Sequence, residues 1–345
     1  MDTWKEQLKN SITSVSQLHK YIPENQSENY DLQKEIRISP YMMNLIANLD
    51  SESALKKQFI PFKKKSTYKY DNDYLNESKF EPIPNLIHRY KNRVIIIVTN
   101  KCACYCQFCT RQRVTKNKQN IHLEAEKIID YIRRDANIND VLITGGDPLI
   151  LENTQLVSLI DQLENIDHLK VIRIGTRMPI TLPMRIDNEL IEALRKYNNL
   201  YINIHVNHPI ELTSESKYAI YCLTSAGIPV GSQTVLLKGI NDNFETLKQL
   251  FEELIHIRVK PYYLYQCDKV AGCEDFVVDP QKGISIINAL SQEISGFALP
   301  KYVIDTPQLG KMILGPCHLQ SLNKDGVLMK AGDIKVNYSI KEHMN

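Results

Sequence analysis

The chain has 345 residues, is 43% hydrophobic and carries 42 basic against 40 acidic side chains, a formal charge of +2. That length and apolar content suffice for one large α/β domain or two smaller ones, and the near-neutral balance gives no footprint for a nucleic-acid partner. No apolar stretch reaches the length of a membrane span, and the opening Met1-Asp-Thr-Trp4-Lys lacks a secretory pattern, so a cytoplasmic protein with reduced thiols and no membrane partner is expected.

Residues 1–90 carry charged helical patterns that end in Pro82-Ile-Pro84 and read as an N-terminal helical cap and lead-in. From Val94 onward, short apolar runs alternate with amphipathic stretches, the pattern of βα units and a parallel sheet. Strands are expected at 94–99, 140–144, 169–175, 200–206, 229–237 and 260–267. Helices fall near 123–135, 154–166, 188–198, 215–226, 243–257 and 282–295. The fold class is α/β, a partial (β/α)6 barrel over 91–298. Its polar motifs all lie just past strand ends, where barrel enzymes carry their sites. Residues 299–345 read as a short C-terminal extension of strands and turns.

Before the first strand, Arg89, Tyr90 and Arg93 present arginine forks that suit a phosphate, the plain alternative being an ordinary basic loop. Directly after that strand, Cys102, Cys106 and Cys109 are spaced Cys-x3-Cys-x2-Cys, with Cys104 left over. Three thiolates leave one iron of a [4Fe-4S] cube open to an incoming ligand. Structural zinc is the rival, although zinc sites more often close with two separated ligand pairs. Arg111, two residues past the last cysteine, is placed to clamp a carboxylate. One βα unit later comes Thr144-Gly145-Gly146-Asp147-Pro148, whose glycines allow close approach to the backbone. Asp268 and Asp305 each end an apolar run. Two carboxylates at a barrel mouth call for a cation, either a ligand's ammonium or an internal partner such as Lys269. Lys311 follows in an apparent loop after Tyr302-Val-Ile304, where a desolvated amine could form a Schiff base.

Together with Leu86-Ile-His-Arg-Tyr-Lys-Asn-Arg93, Ile174-Gly-Thr-Arg177, His205-Val-Asn-His-Pro209, Gln233-Thr-Val-Leu-Leu237 and Pro261-Tyr-Tyr-Leu-Tyr-Gln-Cys-Asp268, these motifs resemble the lysine 2,3-aminomutase family of radical S-adenosylmethionine enzymes. The resemblance runs from about Arg37 to about Asp305. It implies a [4Fe-4S] cluster on Cys102, Cys106 and Cys109, and S-adenosylmethionine near Gly145, Gly146, Asp147, Arg177, His205 and Gln233. It implies pyridoxal 5'-phosphate on Lys311, with Arg89, Tyr90 and Arg93 around it. Arg111 would then hold the substrate α-carboxylate, and Asp268 with Asp305 a distal ammonium. The implied reaction moves the α-amino group of L-lysine to Cβ, fed by an external one-electron reductant of flavodoxin or ferredoxin type, and the resemblance allows a homo-oligomer. Gln308-Leu309-Gly310 makes the connection to Lys311 shorter than the family's glycine run. Asp268-Lys-Val is similar to the branch that serves elongation factor P, which leaves arginine, ornithine and a protein-borne lysine open as substrates.

Overall fold

The computed structural model describes residues 3–339, apart from 23–29, 32–33, 51–52, 64–65, 68, 118, 324–325 and 332. Its frame is a nine-stranded sheet in chain order: β1 (Leu86–Tyr90), β2 (Arg93–Thr99), β3 (Asp140–Gly145), β4 (Val171–Thr176), β5 (Leu200–His205), β6 (Val230–Leu236), β7 (Lys260–Gln266), β8 (Lys301–Thr306) and β9 (Gly310–Gly315). Strands β2 to β8 run parallel, while β1 and β9 close the two edges as antiparallel hairpins. Helices Ala125–Arg134, Asn153–Glu164, Asn188–Leu194, Ser214–Ser225, Phe244–His256 and Pro280–Glu293 form the crossovers. The six expected βα units are therefore present, and β8 adds a seventh parallel strand.

The helices start where the chain offers caps. Thr213 and Asn243 accept the Ser216 and Thr246 N–H groups, and Asp279 accepts that of Gln281 ahead of Pro280 at the first helical position. Each buries one apolar stripe: Ile128, Ile129 and Ile132, or Leu247, Leu250, Phe251 and Leu254. Along the strands the pleat sends successive side chains to opposite faces. Ile143, Ile174, Ile202, Ile204 and Leu264 belong to the buried core. The alternate set, Leu142, Thr144, Gly175, Asn203, His205, Gln233, Val235 and Tyr265, lines a cavity on the other face.

Two expectations about loops are corrected. Arg89 and Tyr90 lie on β1, not in a loop, because Leu86-Ile-His-Arg-Tyr pairs with Arg93–Ile96 in a hairpin. Lys311 lies on β9, because the short Pro307-Gln308-Leu309 turn lets the chain fold straight back on β8, with Asp305 opposite Lys311. Among the described residues no strand ladder closes the sheet, yet side chains of its edges meet. Arg89 donates to the Thr306 and Pro307 carbonyls, and the Lys311 N–H donates to the Tyr90 hydroxyl at 2.9 Å. The sheet is thus curled far enough to bring its first and last strands together.

The N-terminal region holds helices Trp4–Lys9, Val15–Leu18, Pro40–Ala47 and Ala54–Phe59. It packs across the sheet end that carries the cysteines. Ser39 Oγ donates to the Thr181 carbonyl at 2.6 Å, and the Gln107 N–H donates to the Gln58 carbonyl at 2.9 Å. A separate three-stranded sheet, β10 (Leu319–Asn323), β11 (Gly326–Ala331) and β12 (Ile334–Ser339), follows β9.

Candidate active site

A cavity of about 570 Å³ opens at the C-terminal ends of the parallel strands. Cys102, Cys106 and Cys109 line it together with Gly145, Gly146, Asp147, Arg177, His205, Gln233, Arg111, Asp268, Asp305 and Lys311. Thirteen of the sixteen site residues expected from sequence therefore share one chamber. Arg89, Tyr90 and Arg93 are outside its wall; Arg93 stacks on the Tyr90 ring at 3.8 Å and Arg89 binds the β8–β9 turn.

Burial raises the pKa of all three cysteine thiols, that of Cys109 to about 12. The neighbouring thiols add to this for Cys102 and Cys109. At Cys106 the Arg177 guanidinium pulls the other way, with Nη1 only 2.8 Å from Sγ. Cys104 is the spare: it is buried, and its sulfur accepts the Ser39 N–H at 3.3 Å. Among the described residues no three His, Cys, Asp or Glu side chains gather around a single metal ion. A cube asks for a wider spacing, since each thiolate binds a different iron.

The paired glycines serve the chain before any ligand. A Cβ on Gly145 (φ +140°) would overlap the Thr99 carbonyl, and one on Gly146 would overlap that of Lys101. In return the Asp147 N–H donates to the Lys101 carbonyl at 2.8 Å, which fixes the start of the cysteine loop. The Asp147 carboxylate faces inward to its own fold. It accepts the Leu149 N–H, the Thr176 hydroxyl at 2.7 Å and the Arg177 N–H at 2.7 Å. Burial nevertheless pushes its carboxyl up to about 6.

Arg177 is held by groups that no local sequence signal advertised. Its Nη2 donates to Glu211 Oε2 at 2.9 Å and to Gln58 Oε1 at 2.5 Å, and its guanidinium stacks on Phe59 at 4.6 Å. Glu211 is fully buried, so this is a desolvated pair within a connected network. His205 is packed edge-on against Phe108, and burial, with Arg177 nearby, lowers its pKa to about 3, which keeps the ring neutral. Gln233 donates to the Tyr265 hydroxyl at 3.3 Å. Tyr265 was legible in principle, since it shares the inward parity of Gln233 one strand along.

Arg111 is bound by Glu77 at 3.2 Å, and Glu77 also binds Arg113 at 3.1 Å. Arg111 Nε, Arg177 Nε and Asn203 Nδ2 are buried donors on the cavity wall with no partner among the described residues. Such orphan donors fit a ligand rich in acceptors. At the far side, Lys311 Nζ sits 2.9 Å from Asp305 Oδ2 and 3.2 Å from the Tyr265 hydroxyl. Burial opposes the charge of Lys311, but Tyr265 and Asp305 outweigh it and hold its pKa above the ordinary lysine range. The internal cation for the acidic pair is thus Lys311, on Asp305. Burial and the charge of Asp305 push the Asp268 carboxyl up to about 7.

Residues 96–253 match the Radical SAM superfamily model. The L-lysine 2,3-aminomutase of Clostridium subterminale is 38% identical over 337 residues, 95% of this chain and 81% of that one. The L-lysine 2,3-aminomutase of Bacillus subtilis (strain 168) is 38% identical over 339 residues, 95% and 72% of the two chains. The glutamate 2,3-aminomutase of Clostridioides difficile (strain 630) is 39% identical over 345 residues, 97% and 82%. With three thiols, orphan donors and a cavity-facing lysine in one chamber, and identity at this level along nearly its whole length, the chain belongs to the lysine 2,3-aminomutase family of radical S-adenosylmethionine enzymes.

Proposed function

We propose that this enzyme, an isomerase by family, is an L-lysine 2,3-aminomutase. The relatives named for lysine and for glutamate are equally similar, so identity does not choose the substrate. The observation that carries the choice is the pair of carboxylates on the cavity wall, Asp268 and Asp305, which attract a distal ammonium and repel a distal carboxylate.

Cys102, Cys106 and Cys109 would hold the [4Fe-4S] cluster, and Arg177, His205, Gln233 and the Gly145-Gly146-Asp147 turn lie where S-adenosylmethionine would bind. Lys311 would hold pyridoxal phosphate, with Arg89 and Tyr90 bonded to its hairpin and Arg93 stacked on Tyr90. When bound, these groups supply a primary alkyl radical and a π-system for the migrating nitrogen; an external one-electron donor starts the cycle. The chain's own contribution is placement. Arg111 meets the α-carboxylate while Glu77 fixes its fork, and the acidic end fixes the opposite end of the substrate, so that Cβ is presented to the cluster side. The surrounding walls would limit the access of water to a reactive radical. Lys311 Nζ must lose a proton before its lone pair can act as a nucleophile, and Asp305 Oδ2 at 2.9 Å is the nearest acceptor.

The test is direct: reduced, anaerobically reconstituted enzyme is offered lysine, ornithine, arginine and glutamate separately, and α- and β-amino products are resolved. Lysine should yield its β-isomer fastest. Preferential conversion of glutamate would overturn the reading.

A further inference from the structure

A guanidinium has five N–H donors in a fixed plane, and once buried it must find acceptors for them. Arg177 divides its donors between two sides. Nη2 goes to Glu211 Oε2 at 2.9 Å and Gln58 Oε1 at 2.5 Å, while Nη1 reaches Cys106 Sγ at 2.8 Å. The guanidinium carbon also lies 4.6 Å from the centre of the Phe59 ring and 5.4 Å from that of Phe108. Arg177 therefore has little freedom to turn.

The groups behind it are fixed in their turn. Glu211 Oε1 accepts Gln58 Nε2 at 2.9 Å and the Asn207 N–H at 3.0 Å, and Gln58 Oε1 also accepts Asn207 Nδ2 at 3.0 Å. Asn207 Oδ1 accepts the Val235 N–H at 2.9 Å, which ties the group to β6. Gln58, Asn207 and Glu211 are all buried, and none of the three lines the cavity. They cannot act on a ligand by touching it. A buried ion pair is also a weak stability device, often no better than apolar residues of the same volume. What this arrangement secures is the orientation of Arg177, whose Nη1 is left to a cysteine of the cluster loop.

Resting on the assignment of the cluster to Cys102, Cys106 and Cys109, we propose that Glu211 and Gln58 are positioning residues that lock Arg177 onto the Cys106 sulfur, and that this hydrogen bond sets the reduction potential of the cluster. The step is the entry of one electron from the external donor, with no bond in the chain formed or broken. The reduced cluster carries one more negative charge, so a cationic donor at its sulfur favours reduction. Glu211 as a bare charge would do the opposite, since a nearby carboxylate repels the added electron. The two routes thus predict opposite signs. Glu211→Gln leaves one acceptor oxygen where Arg177 and the Gln58–Asn207 pair now use two, so the lock is broken on one side.

Wild type, Glu211→Gln, Arg177→Gln and the double variant are reconstituted anaerobically, and iron per chain is measured. Cluster midpoints are then followed by electron paramagnetic resonance in a redox titration without S-adenosylmethionine. Glu211→Gln should make reduction about tenfold less favourable, a midpoint lower by about 59 mV for one electron. Arg177→Gln should lower it at least as far, and in that background Glu211→Gln should bring no further fall. A midpoint that is unmoved or raised in iron-replete Glu211→Gln overturns the proposal, as does a further fall in the double variant. A wild type that takes up no such cluster overturns the assignment of the three thiols instead. If Glu211→Gln does not fold, Gln58→Ala removes a hold on Arg177 without changing charge: a lowered midpoint supports the lock and an unmoved one overturns it.

Discussion

Asp268 shows how one residue's environment sets a measurable property. Its carboxyl is pushed up to about 7, by burial first and by Asp305 second. A carboxyl with that value is charged above neutrality and neutral below it, whereas a lysine side chain stays cationic throughout. Pairing is therefore present at higher pH and lost as pH falls. KM for lysine should rise by up to about tenfold per pH unit below about 7, and Asp268→Asn should flatten the profile. A KM that stays constant from about pH 8 to about pH 6 in the wild type would remove Asp268 from substrate binding. Gly145 and Gly146 carry a different lesson. Read from sequence they offer backbone to a ligand, but in the fold their missing Cβ atoms admit the Thr99 and Lys101 carbonyls of the cysteine loop. The turn acts on cofactor chemistry first by shaping the loop that carries the thiols.

At the scale of elements, the two edge hairpins do what a closed ladder would otherwise do. β1 and β9 stand at opposite ends of the sheet, and Arg89 and Tyr90 join them through the Thr306 and Pro307 carbonyls and the Lys311 N–H. Hydrogen bonds from a charged donor contribute about 1.5–3 kcal/mol each. Arg89→Ala should therefore lower unfolding stability by about that amount, read as a reduced denaturant midpoint with unchanged slope. It should also weaken pyridoxal phosphate capture, since the turn beside Lys311 loses its anchor. Unchanged stability together with a specific loss of phosphate affinity would show that Arg89 acts on the cofactor and not on the hairpin. The inward parity of β5, β6 and β7 places Asn203, His205, Gln233 and Tyr265 on one wall, a consequence of the two-residue strand period.

At the scale of the whole molecule, the N-terminal helices complete the site from outside the sheet. Gln58 and Phe59 grip Arg177, and Glu77 grips Arg111, so both arginines of the cavity wall take their orientation from residues ahead of the first strand. Removal of residues 1–62 should release Arg177 from Gln58 and Phe59 and expose the cysteine loop. The expected result is a protein that loses iron on gel filtration and binds a hydrophobic dye; retention of a full iron complement would contradict the cap's role. The strands and crossover helices, the cysteine loop and the inward residues near strand ends were legible in the chain, because apolar periodicity and motif spacing are local properties. Loops and partners were not. The hairpins that hold Tyr90 and Lys311, the Glu211–Gln58–Arg177 network and the Glu77–Arg111 pair join segments far apart in sequence, and burial there decides which charge meets which. The amino-acid order thus determined the set of chemical groups and the strand ends that carry them. Only folding in three dimensions decided that Lys311 faces Asp305, because that pairing follows from a three-residue turn and the curl of the sheet, which no local pattern encodes.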